Sequence, residues 1–160
     1  MDPTTDLSVG GVISLTSSAF VQGGTIPRRH TCDGVDVSPE LTWGSLPPGA
    51  RSLALIVEDP DAPRGLFTHW VVHGLSPNLR GLPEGSLPRE AHEGVNDFRR
   101  AQWSGPCPPA GRRHRYFFRL YALDAEITGL KKPTRTQLLH AMEGHVLGTG
   151  ELMGTYQREE

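Results

Sequence analysis

Long apolar runs are missing from this chain of 160 residues. None approaches the roughly 20 residues that a helix needs to cross a bilayer, so no transmembrane segment is expected. The start, MDPTTDLSVGG, has neither the basic region nor the apolar segment of a secretory signal. A cytoplasmic location is the resulting expectation. An excess of either charge is absent as well: the net charge is −2, which leaves neither nucleic acid nor an anionic membrane as an obvious partner. Lysine is scarce, since 14 of the 16 basic residues are Arg, and arginine makes bidentate contacts to carboxylate or phosphate available. Cysteine occurs only at Cys32 and Cys107, too few for a disulfide framework. The two could pair if the fold brings them together, but in a reducing compartment two free thiols are expected. There is no internal repeat and no alternation of strand and helix patterns, so a parallel α/β sheet is not expected.

What the chain does contain is turn chemistry. Gly and Pro make up 33 of the 160 residues, short of a low-complexity composition and in keeping with a loop-rich domain. Residues 1–11 read as a disordered leader ahead of one domain over 12–158. "VISLTSSAF" (12–20) reads as a first strand, and "PRRHTCDGVDVSPELTW" (27–43) as a loop ending in a short strand at 40–43. "SLALIVED" (52–59) and "HWVVHGL" (69–75) are nearly continuous apolar runs, the pattern of strands covered on both faces. "RYFFRLYALD" (115–124) is the most β-prone segment and belongs at the centre of the sheet. Residues 77–101 show no clean period, and a stretch that long without structure is expected to cover or form a site. Thr134 caps a predicted helix running to about residue 147, with Leu138, Met142 and Val146 recurring every four residues. "ELMGTYQR" (151–158) closes as a strand. The fold class is mostly β, with one or two helices late in the chain.

Two stretches carry chemistry. In "EDPDAPRGLFTHWVV" (58–72), Pro60 and Pro63 restrict the backbone around Asp59 and Asp61, and Ala62–Pro63 is a candidate cis peptide. His69 opens the next strand close to the end of the strand carrying Asp59, and an Asp beside a His orients the ring and favours its charged, donating form. Turn caps and a core histidine would explain the same residues without any ligand. In "SGPCPPAGRRHRYF" (104–117), a proline-stiffened loop between Gly105 and Gly111 offers peptide N–H groups to an anion. His114 and Tyr116, two apart on a strand, point to one face. A plain turn followed by a core strand is the alternative there.

The motifs "CDG…SPELTW", "DPDAP…HWVV", "GPCPP…HRYFF" and "GHVLGTGELMGTYQR", in this order and spacing, closely resemble the phosphatidylethanolamine-binding protein family, in its short prokaryotic branch related to the Raf kinase inhibitor protein. The resemblance spans about residues 12–158. It implies a central antiparallel β-sheet flanked by a smaller sheet and helices, and a small pocket for phosphate-like anions and phospholipid headgroups. Carried over by motif, the pocket falls on Asp59, Asp61, His69, Gly105, Pro106, His114 and Tyr116. It also puts His30 near the rim, and Cys32 and Cys107 near the site, where a redox-sensitive pair would gate it. Glu40 replaces a usual proline, "NDFRR" (96–100) replaces "NDFG", and Arg112 and Arg113 are additional.

The expected function is therefore a non-catalytic binding protein for a small anionic ligand: phosphate, a phospholipid headgroup or a phosphorylated partner. A role as a regulator of a kinase or protease, and a homodimer, are further expectations that no residue pattern marks. A hydrolase using Asp59 or Asp61 with His69 is the alternative, but no serine or threonine sits in a strained nucleophile elbow. Asp59, His69 and His114 form a set that metals accept. Their spacing lacks a compact H-x-D pattern, so neither a metal nor a cofactor is expected. Trp43, Trp70 and Trp103 read as core or pocket wall.

Overall fold

The computed structural model describes residues 11–159; the expected leader lies outside them except for Gly11. Strands β1 (Gly11–Ile13), β2 (Leu15–Thr16), β3 (Leu41–Trp43), β4 (Ser52–Asp59), β5 (Phe67–Leu75), β6 (Gly81–Leu82), β7 (His92–Glu93), β8 (Arg113–Leu123) and β9 (Val146–Gln157) form two sheets, with one α-helix, α1 (Arg135–Met142). The large sheet has the order β1-β9-β8-β4-β5-β7 and the small one β2-β3-β6. All pairings in the large sheet are antiparallel except β1, which lies parallel to β9. The sheet is thus mixed at one edge and antiparallel through its centre, as expected.

Every residue of β4 is buried, because the strand is flanked by β5 and β8 and covered on both faces. Period two sorts its side chains. Leu53, Leu55 and Val57 enter a core with Trp70, Val72, Phe118 and Leu120, while Ala54 and Ile56 enter a second core with Val71, Tyr121, Leu138 and Met142 of α1. Trp43, Trp70 and Trp103 are all buried in the first core. Glu58 is the charged exception in β4. Its carboxylate accepts from Arg119 Nε at 3.3 Å and from Arg135 Nε at 2.8 Å, tying α1 to the sheet.

Several expectations change. The single strand over 12–20 divides at Ser14, and its halves join different sheets. The helix starts as expected, with a reciprocal Thr134–Gln137 capping box, but it ends at Met142 because Gly144 takes a positive φ of 80°. Val146 continues the four-residue period and nevertheless opens β9. No cis peptide occurs among the described residues, so Ala62–Pro63 is trans. Cys32 and Cys107 are not free: they form a disulfide with Cα atoms 5.4 Å apart. The fold overrides the composition argument here, because Cys32 N–H donates to Pro106 O at 3.1 Å and sets the two loops side by side.

The β4–β5 ladder is irregular at two places that matter for the site. Its register steps from Val57↔Trp70 to Glu58↔Thr68, leaving His69 as the extra residue of a bulge. A second shift lies between Leu53↔Leu75 and Leu55↔Val72, around His73 and Gly74. Both ring nitrogens of His73 are buried without a partner. The His92 ring stacks on it with centroids 5.2 Å apart. Burial first, and the neighbouring His92 second, hold the His73 pKa below its ordinary 6.5.

The unfolded chain therefore takes up a proton near pH 6.5 that the folded chain refuses, and stability falls as pH drops below that value. One such group removes at most about 1.4 kcal/mol over the first pH unit. Urea unfolding at pH 7.5 and 5.5 should show a His73→Leu variant losing about 1 kcal/mol less than the parent over this interval. Equal losses would show that His73 is not the proton-linked group.

Candidate functional site

The site lies at one end of the large sheet, where β4 ends and β5 and β8 begin. A cavity of about 160 Å³ opens there. Asp59 comes from the end of β4, Phe67 and His69 from the start of β5, and His114 and Tyr116 from the start of β8. Three loops complete the wall with Ala62 and Pro63, with Phe98, and with residues 107–109. The floor is polar and the walls are aromatic or prolyl. Asp59, His69, His114 and Tyr116 are each no more than 3% exposed. The rings interlock: His69 meets Tyr116 edge-on at 5.3 Å, Phe98 at 5.6 Å and Phe67 at 5.2 Å.

The carboxylate partner differs from the one expected. Asp59 Oδ2 accepts from His114 Nδ1 at 2.7 Å, so the oriented ring is His114 and not His69. Asp59 Oδ1 accepts the Asp61 backbone N–H at 2.7 Å. With Nδ1 engaged, His114 Nε2 is left buried and without a partner. His69 Nδ1 donates to Ser104 O at 2.6 Å; a carbonyl only accepts, so this nitrogen carries the proton. Burial pushes the His69 pKa down, against the Ser104 hydrogen bond and the nearby acidic groups, which pull it up. Burial also raises the Tyr116 phenol far above its ordinary value, so the hydroxyl stays protonated.

Three expected residues are not on the wall. Asp61 turns outward, where its carboxylate accepts from Arg115 N and Nε at 2.9 Å and from Arg115 Nη2 at 2.9 Å. The Arg115 guanidinium holds it below the ordinary carboxylate range. Gly105 packs behind the cavity; its N–H donates to Asp36 Oδ1 at 2.9 Å, and a Cβ there would sit 2.1 Å from His30 O. Pro106 accepts from Cys32 N, and the wall is formed by the residues that follow it. His30 is buried with Nδ1 at 2.8 Å from Val37 O and does not reach the rim. Arg112 and Arg113 are exposed.

Sequence reasoning missed Asn96, inside the stretch read as structureless. It is 3% exposed. Its Nδ2 donates to His69 O at 3.0 Å, Gln102 O at 2.9 Å and Ser104 Oγ at 3.1 Å. Its Oδ1 accepts from Phe98 N at 2.9 Å and Arg100 N at 3.1 Å. One amide thus fixes the loop bearing Phe98, the His69 backbone and the Ser104 carbonyl that orients the His69 ring. The only signal for it was the "NDFRR" motif.

Two larger hollows differ in kind. In one, of about 270 Å³, the carboxylates already serve indoles: Trp70 Nε1 donates to Glu93 Oε2 at 2.7 Å and Trp103 Nε1 to Asp36 Oδ1 at 3.1 Å. In the other, of about 290 Å³, Asp33 accepts from Tyr156 OH at 2.7 Å and pairs with Arg158 Nη2 at 3.0 Å. Among the described residues, neither is lined by a buried side-chain nitrogen or oxygen that lacks a partner. No group of three or more metal-ligating side chains occurs among the described residues. No helix among them is long and apolar enough to cross a membrane.

The family model described as phosphatidylethanolamine-binding protein matches residues 16–157. A UPF0098 protein of Methanothermobacter thermautotrophicus is 47% identical over 151 residues, covering 91% of this chain and 99% of its own length. One from Chlamydia muridarum is 46% identical, covering 92% of this chain and all of its own length. The crystal structure of a phosphatidylethanolamine-binding protein homologue from Chlamydia trachomatis superposes with a TM-score of 0.88 at 44% identity, over 92% of this chain and 99% of that one. E. coli YbcL, described as a member of the mammalian PEBP family, gives 0.85 at 30% identity, over 91% and 98% of the two chains. The mostly β architecture with two sheets matches these structures.

Removing the Asn96 amide leaves several buried donors and acceptors unsatisfied at once. An Asn96→Ala variant should lose about 3 kcal/mol in chemical denaturation. A loss below about 1 kcal/mol would show that the loop is held by its other contacts.

Proposed function

The chain belongs to the phosphatidylethanolamine-binding protein family, and on that premise we propose that it is a non-catalytic binding protein whose cavity captures a phosphate-type anion. The anion is free or is carried on a phospholipid headgroup or a phosphorylated protein; a kinase or protease would be regulated through such a contact. The observation that carries this reading is His114 Nε2, a ring nitrogen buried without a partner on the wall of a cavity. A buried polar atom left unsatisfied costs about 1–3 kcal/mol; because Nδ1–H is given to Asp59, Nε2 donates to an anion oxygen in the doubly protonated ring, and that contact removes the cost. The Tyr116 hydroxyl supplies a further donor around the same volume, and His69, whose Nδ1 proton is held by Ser104 O, adds Nε2 as a donor when the ring takes up a second proton. Each hydrogen bond to a charged partner contributes about 1.5–3 kcal/mol, and the apolar walls lower the local dielectric and strengthen it. Asp59 stays engaged by His114 and the Asp61 N–H, so it acts as an orienting group and not as a repelling charge in the open volume.

The hydrolase alternative was expected to pair Asp59 or Asp61 with His69; the pair present is Asp59–His114, which has the geometry of a base and its orienting carboxylate. Among the lining residues the hydroxyl is the phenol of Tyr116, and the Cys107 sulfur is tied up in the disulfide. Without an activated nucleophile on the wall, binding is the reading these residues favour.

Sulfate, whose charge is constant between pH 5 and 8, is the clean probe. Calorimetry at pH 6 should show His114→Ala and His69→Ala each weakening sulfate at least tenfold; parental affinity in both variants would mean the anion sits elsewhere. Because burial depresses the His69 pKa in the free protein and a bound anion favours the charged ring, binding takes up a proton. Sulfate affinity should therefore rise as pH falls from 8 to 6 in the parent and rise less in His69→Ala. A flat profile in the parent would remove His69 from the donor set. Turnover of a phosphodiester or ester substrate, lost in His114→Ala, would instead establish the hydrolase.

A further inference from the structure

We propose that the Cys32–Cys107 disulfide is a redox latch on this cavity: oxidised, it holds one wall in place, and reduction by an external dithiol releases that wall and weakens anion binding. The inference rests on the reading of the cavity as an anion site.

The latch begins with how little else holds the wall. Residues 107–109 line the cavity, yet 107–110 make no backbone–backbone hydrogen bond among the described residues. Pro108 and Pro109 have no N–H to donate. Backbone anchors lie only at the ends: Pro106 O accepts Cys32 N–H at 3.1 Å, and Gly111 N donates to Arg158 O at 2.8 Å. Between them, the covalent bond to Cys32 is the firm tether. Cys32 follows the turn in which Thr31 Oγ1 donates to Arg28 O at 2.8 Å, so the tether ends on an ordered support.

The bond is also placed for exchange. Both cysteines are exposed, and Arg158 Nη1 lies 3.8 Å from Cys107 Sγ. A guanidinium beside a sulfur favours its thiolate and makes it the better leaving group. A reductant thiolate attacks Cys32 Sγ, forms a mixed disulfide there and expels Cys107 as a thiolate, which takes a proton from solvent. The second thiol of the reductant then resolves the mixed disulfide, so the reductant leaves oxidised and both cysteines are thiols. The chain has no third cysteine to act as an internal reductant, so the two electrons come from a separate thiol reductant, here a dithiol.

The test compares oxidised protein, protein reduced with dithiothreitol, and the Cys32→Ser/Cys107→Ser double variant. Calorimetry should show sulfate affinity at least fivefold weaker after reduction, with the double variant equal to the reduced protein and indifferent to dithiothreitol. Trypsin cleavage after Arg112 should rise severalfold on reduction while the far-UV circular dichroism keeps its strand signal. Arg158→Gln should slow reduction severalfold. Unchanged affinity and unchanged cleavage would overturn the latch, and so would collapse of the whole fold on reduction, which would make the bond a general staple. If oxidised protein binds no sulfate but cleavage still responds to reduction, the wall is redox-gated and the anion reading is the part that fails.

Discussion

Asp59 is a buried carboxylate facing a cavity whose walls are largely apolar, and its charge sets the conditions for everything around it. An ionised group withdrawn from water is expensive unless its oxygens are hydrogen-bonded. Here one oxygen takes a backbone N–H from the turn that follows and the other takes His114 Nδ1. Meeting that need fixes the His114 ring and turns its second nitrogen toward ligand chemistry. The same turn sends Asp61 outward onto Arg115, so a single carboxylate is retained at the site. A second one facing inward would oppose any anion.

The carboxylate only reaches His114 because β4 and β8 hold a continuous antiparallel register up to Glu58↔Phe117. β5 holds its register with β4 less strictly, and that matters for His69. The extra residue at the bulge places this histidine against Tyr116 and Phe98. Regular strand pairing supplies the rigid part of the site, and one local departure from it supplies a second imidazole. The loops then work at a distance: Asn96 locks the Phe98 turn to the strand, and Asp36 holds Gly105.

The parts of this arrangement that were legible in the sequence were those written in short-range patterns. The apolar run of β4 identified a central strand because a strand covered on both faces has no room for polar alternation, and β8 was legible from its aromatic, β-prone composition although its first half alternates buried and exposed residues. The two proline-rich motifs located the cavity because stiff loops at strand ends are rarely accidental. What escaped depends on register, which local pattern does not encode. The exchange of His114 for His69 as the partner of Asp59 is a matter of which strand lies beside β4 at that level. The disulfide joins residues 75 positions apart, and the prior against oxidised thiols concerned the compartment, not the fold. Asn96 went unnoticed because a buried amide that organises a loop leaves no periodicity. The helix overran its end because Leu138, Met142 and Val146 share a spacing that Gly144 interrupts.

Among the described residues, the large sheet ends on one side in β1, three residues long, and on the other in β7, two residues long. Short borders of this kind offer a foreign backbone almost nothing to zip onto. Among the described residues, these two border strands give a second molecule little template for extending the ladder.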